Sequence, residues 1–451
     1  MSWSQSVYVR LFVWLLLISA ALGAPREAAA TPIYAIRAAN TCDTCHIEPI
    51  GWKNPDQSAR LCTMGCNGCH VNITGGGLRT PSGQFYGRQT LPTWGDRPGD
   101  YADLSQYRQY QADNAPTKGR YSLLEGFSGW WGGTKPMAEI PDRFGNIDPD
   151  PEVLVGADVR LATFGPLESG GERSFAVFPM EADVHVAWRV AERVQLYASG
   201  GLKGSRQDPD TIPLSDYFTA REVFAKLDRL PGNSQIRVGR FTPAYGWRLP
   251  DHTTFTRRNL GFDQNRQVFG VDAIYNPNYL VIQGGPFYQG VPGWPGETGD
   301  EGFGATLMGG WRDLGWQLLG SLHALQRPEG FDELAGGVSW GLNLSPLVYL
   351  GELDARRQSG VQGVEDVHAL FAYHELNWLV TRGFTALLKY DWQDPNLRLL
   401  DDHGHRATLG LQWQPYTWQS IDLQYRMNFI GDFSPDTLGE QDLLAIWHFW
   451  Y

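Results

Sequence analysis

Beyond residue 30 the chain has no run of 18 consecutive apolar residues, so it offers no helix long enough to cross a bilayer. Its mean hydropathy is negative, which also excludes a helical membrane protein. Basic residues are scarce: 37 Lys and Arg stand against 49 Asp and Glu, a formal charge of -12. Nucleic acid is not expected as a partner, because it asks for a basic face. The acidic balance is compatible with an interior that attracts cations. No nucleophile, His and Asp constellation and no His-Glu-x-x-His motif is recognisable, so hydrolysis is not expected. There are only five cysteines, and all five fall between residues 42 and 69.

The N-terminus reads as an address. Arg10 precedes an apolar core from Leu11 to Ala21 that is too short to span a membrane, and small residues follow. A secretory signal peptide over residues 1–30 is expected. Cleavage after Ala30 is preferred to cleavage after Ala24, where Pro25 would follow the cut.

What the chain has in quantity is aromatic residues and glycine: 18 Trp, 19 Tyr, 21 Phe and 53 Gly in a polar sequence. That mixture fits a β-barrel whose outer face is apolar and whose lumen is wet. From about residue 151 the sequence alternates with period two. Along Glu181 to Val190, Ala182, Val184, Val186, Trp188 and Val190 share one face, and Glu181, Asp183, His185 and Arg189 the other. Phe384 to Trp392 puts Leu388, Tyr390 and Trp392 outward with Lys389 and Asp391 inward. Ser420 to Phe429 puts Leu423, Met427 and Phe429 outward with Asp422, Gln424 and Arg426 inward. A solvated sandwich would show the same alternation once, but its repetition favours a membrane barrel. Sixteen such segments, from 154–163 to 441–451, predict an all-β transmembrane antiparallel barrel of about 16 strands over residues 151–451. Its last strand ends in Trp447, Phe449 and Tyr451, which resembles the sorting signal of bacterial outer-membrane barrels. Short links such as Arg312-Asp313 suit periplasmic turns. Tyr245 to Asn265 suits a longer outer loop or one folded into the lumen; its Arg257, Arg258 and Asp263 could meet a substrate or a haem propionate, but read more readily as solvated loop residues.

Chemistry is concentrated between Thr41 and Gly77. Cys42-Asp43-Thr44-Cys45-His46 and Cys66-Asn67-Gly68-Cys69-His70 both carry the C-x-x-C-H spacing of c-type haem attachment. Two thiols reach the vinyl groups of one porphyrin and the following imidazole ligates iron. Cys42, Cys45, Cys66 and Cys69 are therefore candidates for covalent attachment of two haems, with His46 and His70 as proximal iron ligands. The same four thiols could in principle form a zinc site, and a C-x-x-C pair could be a redox disulfide. Met64 is a candidate distal ligand, and Met137 is another thioether. His185, His323, His368, His374 and His448 are further candidates, because parity points them into the lumen; each reads more readily as a hydrated lumen residue. Cys62 is the odd thiol, open to a distal-ligand role, an unligated thiol or an intermolecular link alike. Residues 31–100 form a Pro- and Gly-punctuated dihaem cytochrome segment and 101–150 a linker or plug; such a segment lacks a core unless haem supplies one. Gly75-Gly76-Gly77 is not a phosphate loop, since no Lys-Ser/Thr follows, and reads as backbone passing close to a porphyrin. Asn72-Ile73-Thr74 matches a glycosylation acceptor by chance.

The stretch Tyr34-Ala-Ile-Arg-Ala-Ala-Asn-Thr-Cys-Asp-Thr-Cys-His46, followed by a porin-like barrel, resembles the fused cytochrome-porins of the outer membrane known from iron-oxidising bacteria. Arg237-Val-Gly-Arg-Phe-Thr-Pro-Ala-Tyr-Gly246 resembles a strand and turn of the phosphate-selective porins. The chain departs from the iron-oxidising fusions in its second haem motif. The resemblance implies a cell outer-membrane electron conduit, with its haem segment in the barrel lumen or at its mouth. Electrons would pass between an extracellular donor or acceptor, iron among them, and a periplasmic cytochrome or other carrier. The alternatives are a solute or ion porin with a cytochrome plug, and a barrel sleeve that docks a separate multihaem cytochrome.

Overall fold

The computed structural model describes residues 69–80, with Cys66, Gly83, Gln84 and Trp94, and residues 151–451 apart from 168–175, 204–216, 263–265, 278, 292–300, 314, 329, 331, 345, 361–365, 382, 417, 432 and 435–436. Sixteen strands form one sheet: β1 Val153–Pro166, β2 Ala176–Ala191, β3 Val194–Lys203, β4 Phe218–Leu230, β5 Ser234–Phe241, β6 Val268–Tyr275, β7 Leu280–Gln289, β8 Gly302–Arg312, β9 Trp316–Gln326, β10 Asp332–Leu344, β11 Leu347–Ser359, β12 Val367–Thr381, β13 Phe384–Asp394, β14 Gly404–Trp413, β15 Gln419–Ile430 and β16 Leu438–Trp450. Every strand pairs with its sequence neighbours, and β1 pairs antiparallel with β16 to close the cylinder. Each of the sixteen segments read from the alternation overlaps one of these strands.

Burial runs inside out. In β2 the apolar Val184 and Trp188 are 56% and 48% exposed, while Asp183 and His185 on either side of Val184 are 3% and 5% exposed. Such a wall makes sense only with hydrocarbon outside and a polar lumen within. Closure leaves no sheet edge, so every strand finds its backbone partners where no water could supply them. Connections alternate in length as expected. The links after β2, β10 and β12 are two residues long, at 192–193, 345–346 and 382–383, whereas those after β3 and β5 run over 204–217 and 242–267.

Phe429 keeps the outward side, opposite His405 and next to the inward Asn428 that accepts from Arg406, and it is buried there because Phe433 covers it at 4.4 Å. One expectation about facing is corrected. His368 and His374 face outward, since Tyr373, Glu375 and Asn377 fill the buried positions of β12. There His374 Nδ1 lies 2.7 Å from the Tyr349 hydroxyl, and its ring is sandwiched by those of Tyr349 and Tyr390. The strand carries aromatic or imidazole rings on both faces, so alternation alone misassigns it.

Leu388 lies mid-strand on the outer face, opposite Leu376 and Leu409. Leu388→Arg is expected to destabilise the barrel by about 2–4 kcal/mol, the cost of a guanidinium near the bilayer midplane. Denaturant unfolding from lipid vesicles should report it as a lower midpoint.

Candidate functional site

The described part of the N-terminal region is a short hairpin inside the barrel. Backbone bonds from Cys69 N and His70 N to the Cys66 carbonyl, at 3.2 and 2.9 Å, close one helical turn. That turn brings Cys66, Cys69 and His70 to one side, because residues three and four apart are neighbours on a helix surface. Neither cysteine is in a disulfide with a described residue. The chain then folds back, with His70 bridged to Arg79 and Val71 N bonded to the Leu78 carbonyl at 3.0 Å. At the tip, Asn72 Oδ1 accepts from Thr74 N at 3.1 Å and Thr74 Oγ1 at 2.8 Å, an Asx turn. Gly75, Gly76 and Gly77 follow at φ of 88°, 74° and 59°, a left-handed run open to glycine at little cost. The glycine run thus has a conformational reason of its own.

The hairpin is fastened to the lumen side of β1–β7. Lys226 Nζ donates to the Val71 carbonyl at 2.9 Å, and Arg248 donates to Thr74 Oγ1 at 2.7 Å. Asn72 donates to Glu222 and accepts from Arg237. Arg237 is fully buried, bonds Asp272 at 2.7 Å and lies over the Phe241 ring at 4.1 Å. Val71 and Leu78 pack with Leu154, Tyr197, Phe224 and Phe241, and Ile73 packs with Ile274 and Val281. This apolar patch inside a polar lumen is matched to the hairpin. Contacts to residues such as Lys226 and Ile274, near the strand ends, put the hairpin at the end of the cylinder with the short turns. Trp94 meets the same rim elsewhere, donating from its backbone N to the Gln414 carbonyl at 2.8 Å.

Burial, with Arg79 and Arg248 nearby, pushes His70 down to about 3 and keeps it neutral. Its Nδ1 is buried and has no hydrogen-bond partner. A neutral imidazole next to two thiols on one turn is the donor set that a single c-type haem requires, so Cys66, Cys69 and His70 fit the group. Among the described residues no group of three or more His, Cys, Asp or Glu side chains is arranged to hold a metal ion. Cys42, Cys45, His46, Cys62, Met64 and Met137 lie outside the described residues.

The histidines proposed from parity separate clearly. His448 Nε2 lies 2.8 Å from Asp158. His323 is buried between Phe262 and Phe287, with Nε2 3.5 Å from Glu333. His185 Nδ1 lies 3.0 Å from the Tyr197 hydroxyl, beside the hairpin. Asn72, read from the sequence as a chance glycosylation match, anchors the hairpin instead. No motif marks Lys226 or Glu222, and Arg237 stands out only as the start of the porin-like stretch; the available signal was opposite charge at inward positions of adjacent strands.

Residues 242–262 fold into the lumen and carry the short helix α1, Phe255–Arg258. Arg257 is therefore no solvated loop residue: it is 3% exposed and ion-paired with Glu352 of β11. Trp247 Nε1 donates to the Gly351 carbonyl at 3.0 Å, and Tyr245 Oη donates to Asp354 at 3.0 Å. Further along, Lys389 reaches Asp251 at 3.1 Å, and Arg406 and Arg426 donate to Thr253 at 2.8 and 2.9 Å. Burial opposes ionisation of Asp251, yet Lys389, Thr253 and Arg426 hold its carboxyl below the usual range. Arg258 is exposed, and Asp263 lies outside the described residues. The acidic lumen residues are compensated: Arg160 and Arg221 lie 3.7 and 3.9 Å from Glu181, Arg221 pairs with Asp183, and Asp422 accepts from Gln412 at 2.7 Å.

No family model matches the chain, and no curated protein matches it in sequence. Among solved structures it resembles the anion-selective porin from Comamonas acidovorans, at 11% identity over 66% of this chain and 99% of that one, with a TM-score of 0.51. The outer-membrane protein OmpT of Vibrio cholerae gives 10% identity over 67% and 99%, with a TM-score of 0.49. The outer membrane channel DcaP of Acinetobacter baumannii gives 11% over 66% and 100%, with a TM-score of 0.46. At such identities the likeness is one of architecture, and the closed sheet, inside-out burial and paired lumen charges describe a porin-like barrel of sixteen antiparallel strands.

Proposed function

We propose that this chain is an outer-membrane electron-transfer conduit, in which a c-type cytochrome segment occupies the lumen of a porin-like barrel. The observation that carries the reading is the Cys66–His70 turn, whose following hairpin is fastened to the inner wall by Lys226, Glu222 and Arg237. When bound, c-type haem supplies a one-electron couple. Cys66 and Cys69 would hold it covalently and His70 would ligate its iron; Cys42, Cys45 and His46 repeat the motif for a second. The wall around the hairpin separates this site from lipid and limits its contact with water, which, with the axial ligands, sets a haem potential. The short-turn end suits a periplasmic cytochrome or other carrier as one partner, and the opposite mouth an extracellular donor or acceptor, iron included.

A second reading, an ion or solute porin with a cytochrome plug, draws on the loop 242–262 that enters the lumen as a constriction would. The two readings separate in proteoliposomes. The purified full chain should carry two haems by pyridine haemochrome quantification. It should also let an impermeant external donor reduce a trapped redox dye, without added cytochrome, while passing little ionic current in a planar bilayer. Free conduction without dye reduction would overturn the conduit in favour of the porin.

A further inference from the structure

We infer that His185 is the second axial ligand of the haem tethered at Cys66 and Cys69, completing with His70 a bis-imidazole pair; this rests on the cytochrome reading above. The hairpin brings the two imidazoles to the same stretch of backbone. Gly76 and Gly77 approach the His70 ring. Gly77 also borders His185, so closely that a side chain there would meet the His185 ring at 3.5 Å and the Tyr197 hydroxyl at 2.9 Å.

His185 is 95% buried, being 5% exposed, and its Nε2 has no hydrogen-bond partner. A buried imidazole nitrogen without a partner costs free energy unless something binds it. The other nitrogen, Nδ1, lies 3.0 Å from Tyr197 Oη, and the two rings stack at 6.3 Å. Tyr197 is buried and held by Phe224 at 4.7 Å. Second contacts of this kind orient metal-ligating histidines: a proton on Nδ1, shared with the phenol, leaves the Nε2 lone pair available. The other histidines offered by the sequence lack this combination. His448 is taken by Asp158, His323 sits beside Glu333, and His368 and His374 point away from the lumen. The thioether of Met308 packs against Ala244 and Leu319. Tyr197 acts through His185 and is a positioning residue.

The test uses the full-length protein purified with its haem. With a bis-imidazole pair, the haem is low-spin in both oxidation states and does not bind carbon monoxide when reduced. His185→Ala should convert one of the two haems to a high-spin species by electron paramagnetic resonance. On reduction that haem should take up one carbon monoxide per chain, and added imidazole should restore the low-spin signal. His185→Met should keep six-coordination and raise the potential of that haem alone. Tyr197→Phe should keep the low-spin state but shift the potential of that haem, whereas a purely structural role would leave it unmoved. Two haems with an unaltered spectrum and no carbon monoxide binding in His185→Ala would overturn this inference alone. Wild-type protein without covalent haem would overturn it together with the proposed function.

Discussion

Replacing Cys66 and Cys69 together by alanine should lower the covalent haem content from two per chain to one and reduce dye reduction across the liposome wall to background. A porphyrin without its thioether tethers depends on axial ligation alone, and the next hop would span the gap left in the lumen. The barrel itself should survive. The hairpin is secured downstream of the thiols by Asn72, Val71 and Thr74, through Glu222, Arg237, Lys226 and Arg248. Heat-modifiable migration on a gel should therefore match the wild type while the haem stain falls by half. A variant that retains two covalent haems would remove this motif from the chemistry.

The second large effect concerns the loop 242–262. Its attachment depends on Glu352, which is fully buried, pairs with Arg257 and accepts from Trp247 N at 3.2 Å. Glu352→Ala leaves the Arg257 guanidinium buried without its counter-ion and the Trp247 amide without its acceptor. Breaking one side of a buried ion pair costs about 3–5 kcal/mol, whereas replacing both partners by apolar groups is often close to neutral. The single variant should therefore unfold at a clearly lower temperature and show raised, noisy conductance as the loop leaves the wall. A double variant with Arg257→Met should recover much of the loss. Equal destabilisation by the single and double changes would mean that the pair does not hold the loop.

The strands were legible because a membrane wall imposes the simplest possible code, apolar on every second residue. Val184, Trp188 and Leu388 obey it without exception. The code fails where both faces carry rings, as around His374, and burial departs from it where a link folds back over the outer face, as Phe433 does over Phe429. The lumen was less legible, because its order is set by contacts between residues far apart in the chain. Arg257 with Glu352 and Asn72 with Arg237 are separated by 95 and 165 positions, and nothing local to either residue announces its partner. The C-x-x-C-H spacing is recognisable for the opposite reason: it lies within five consecutive residues and needs no distant partner.

The seam where β1 meets β16 bears on biogenesis. Asp158 and His448, bonded across it, lie 290 positions apart, so the tube is sealed by the last contacts the polypeptide is able to make. Residues 70–79 are attached to seven early strands and precede all of them in the chain. Under the conduit reading, a haem held by that hairpin would be loaded while the sheet is still an open curl, making its attachment an upstream checkpoint on insertion rather than a later embellishment.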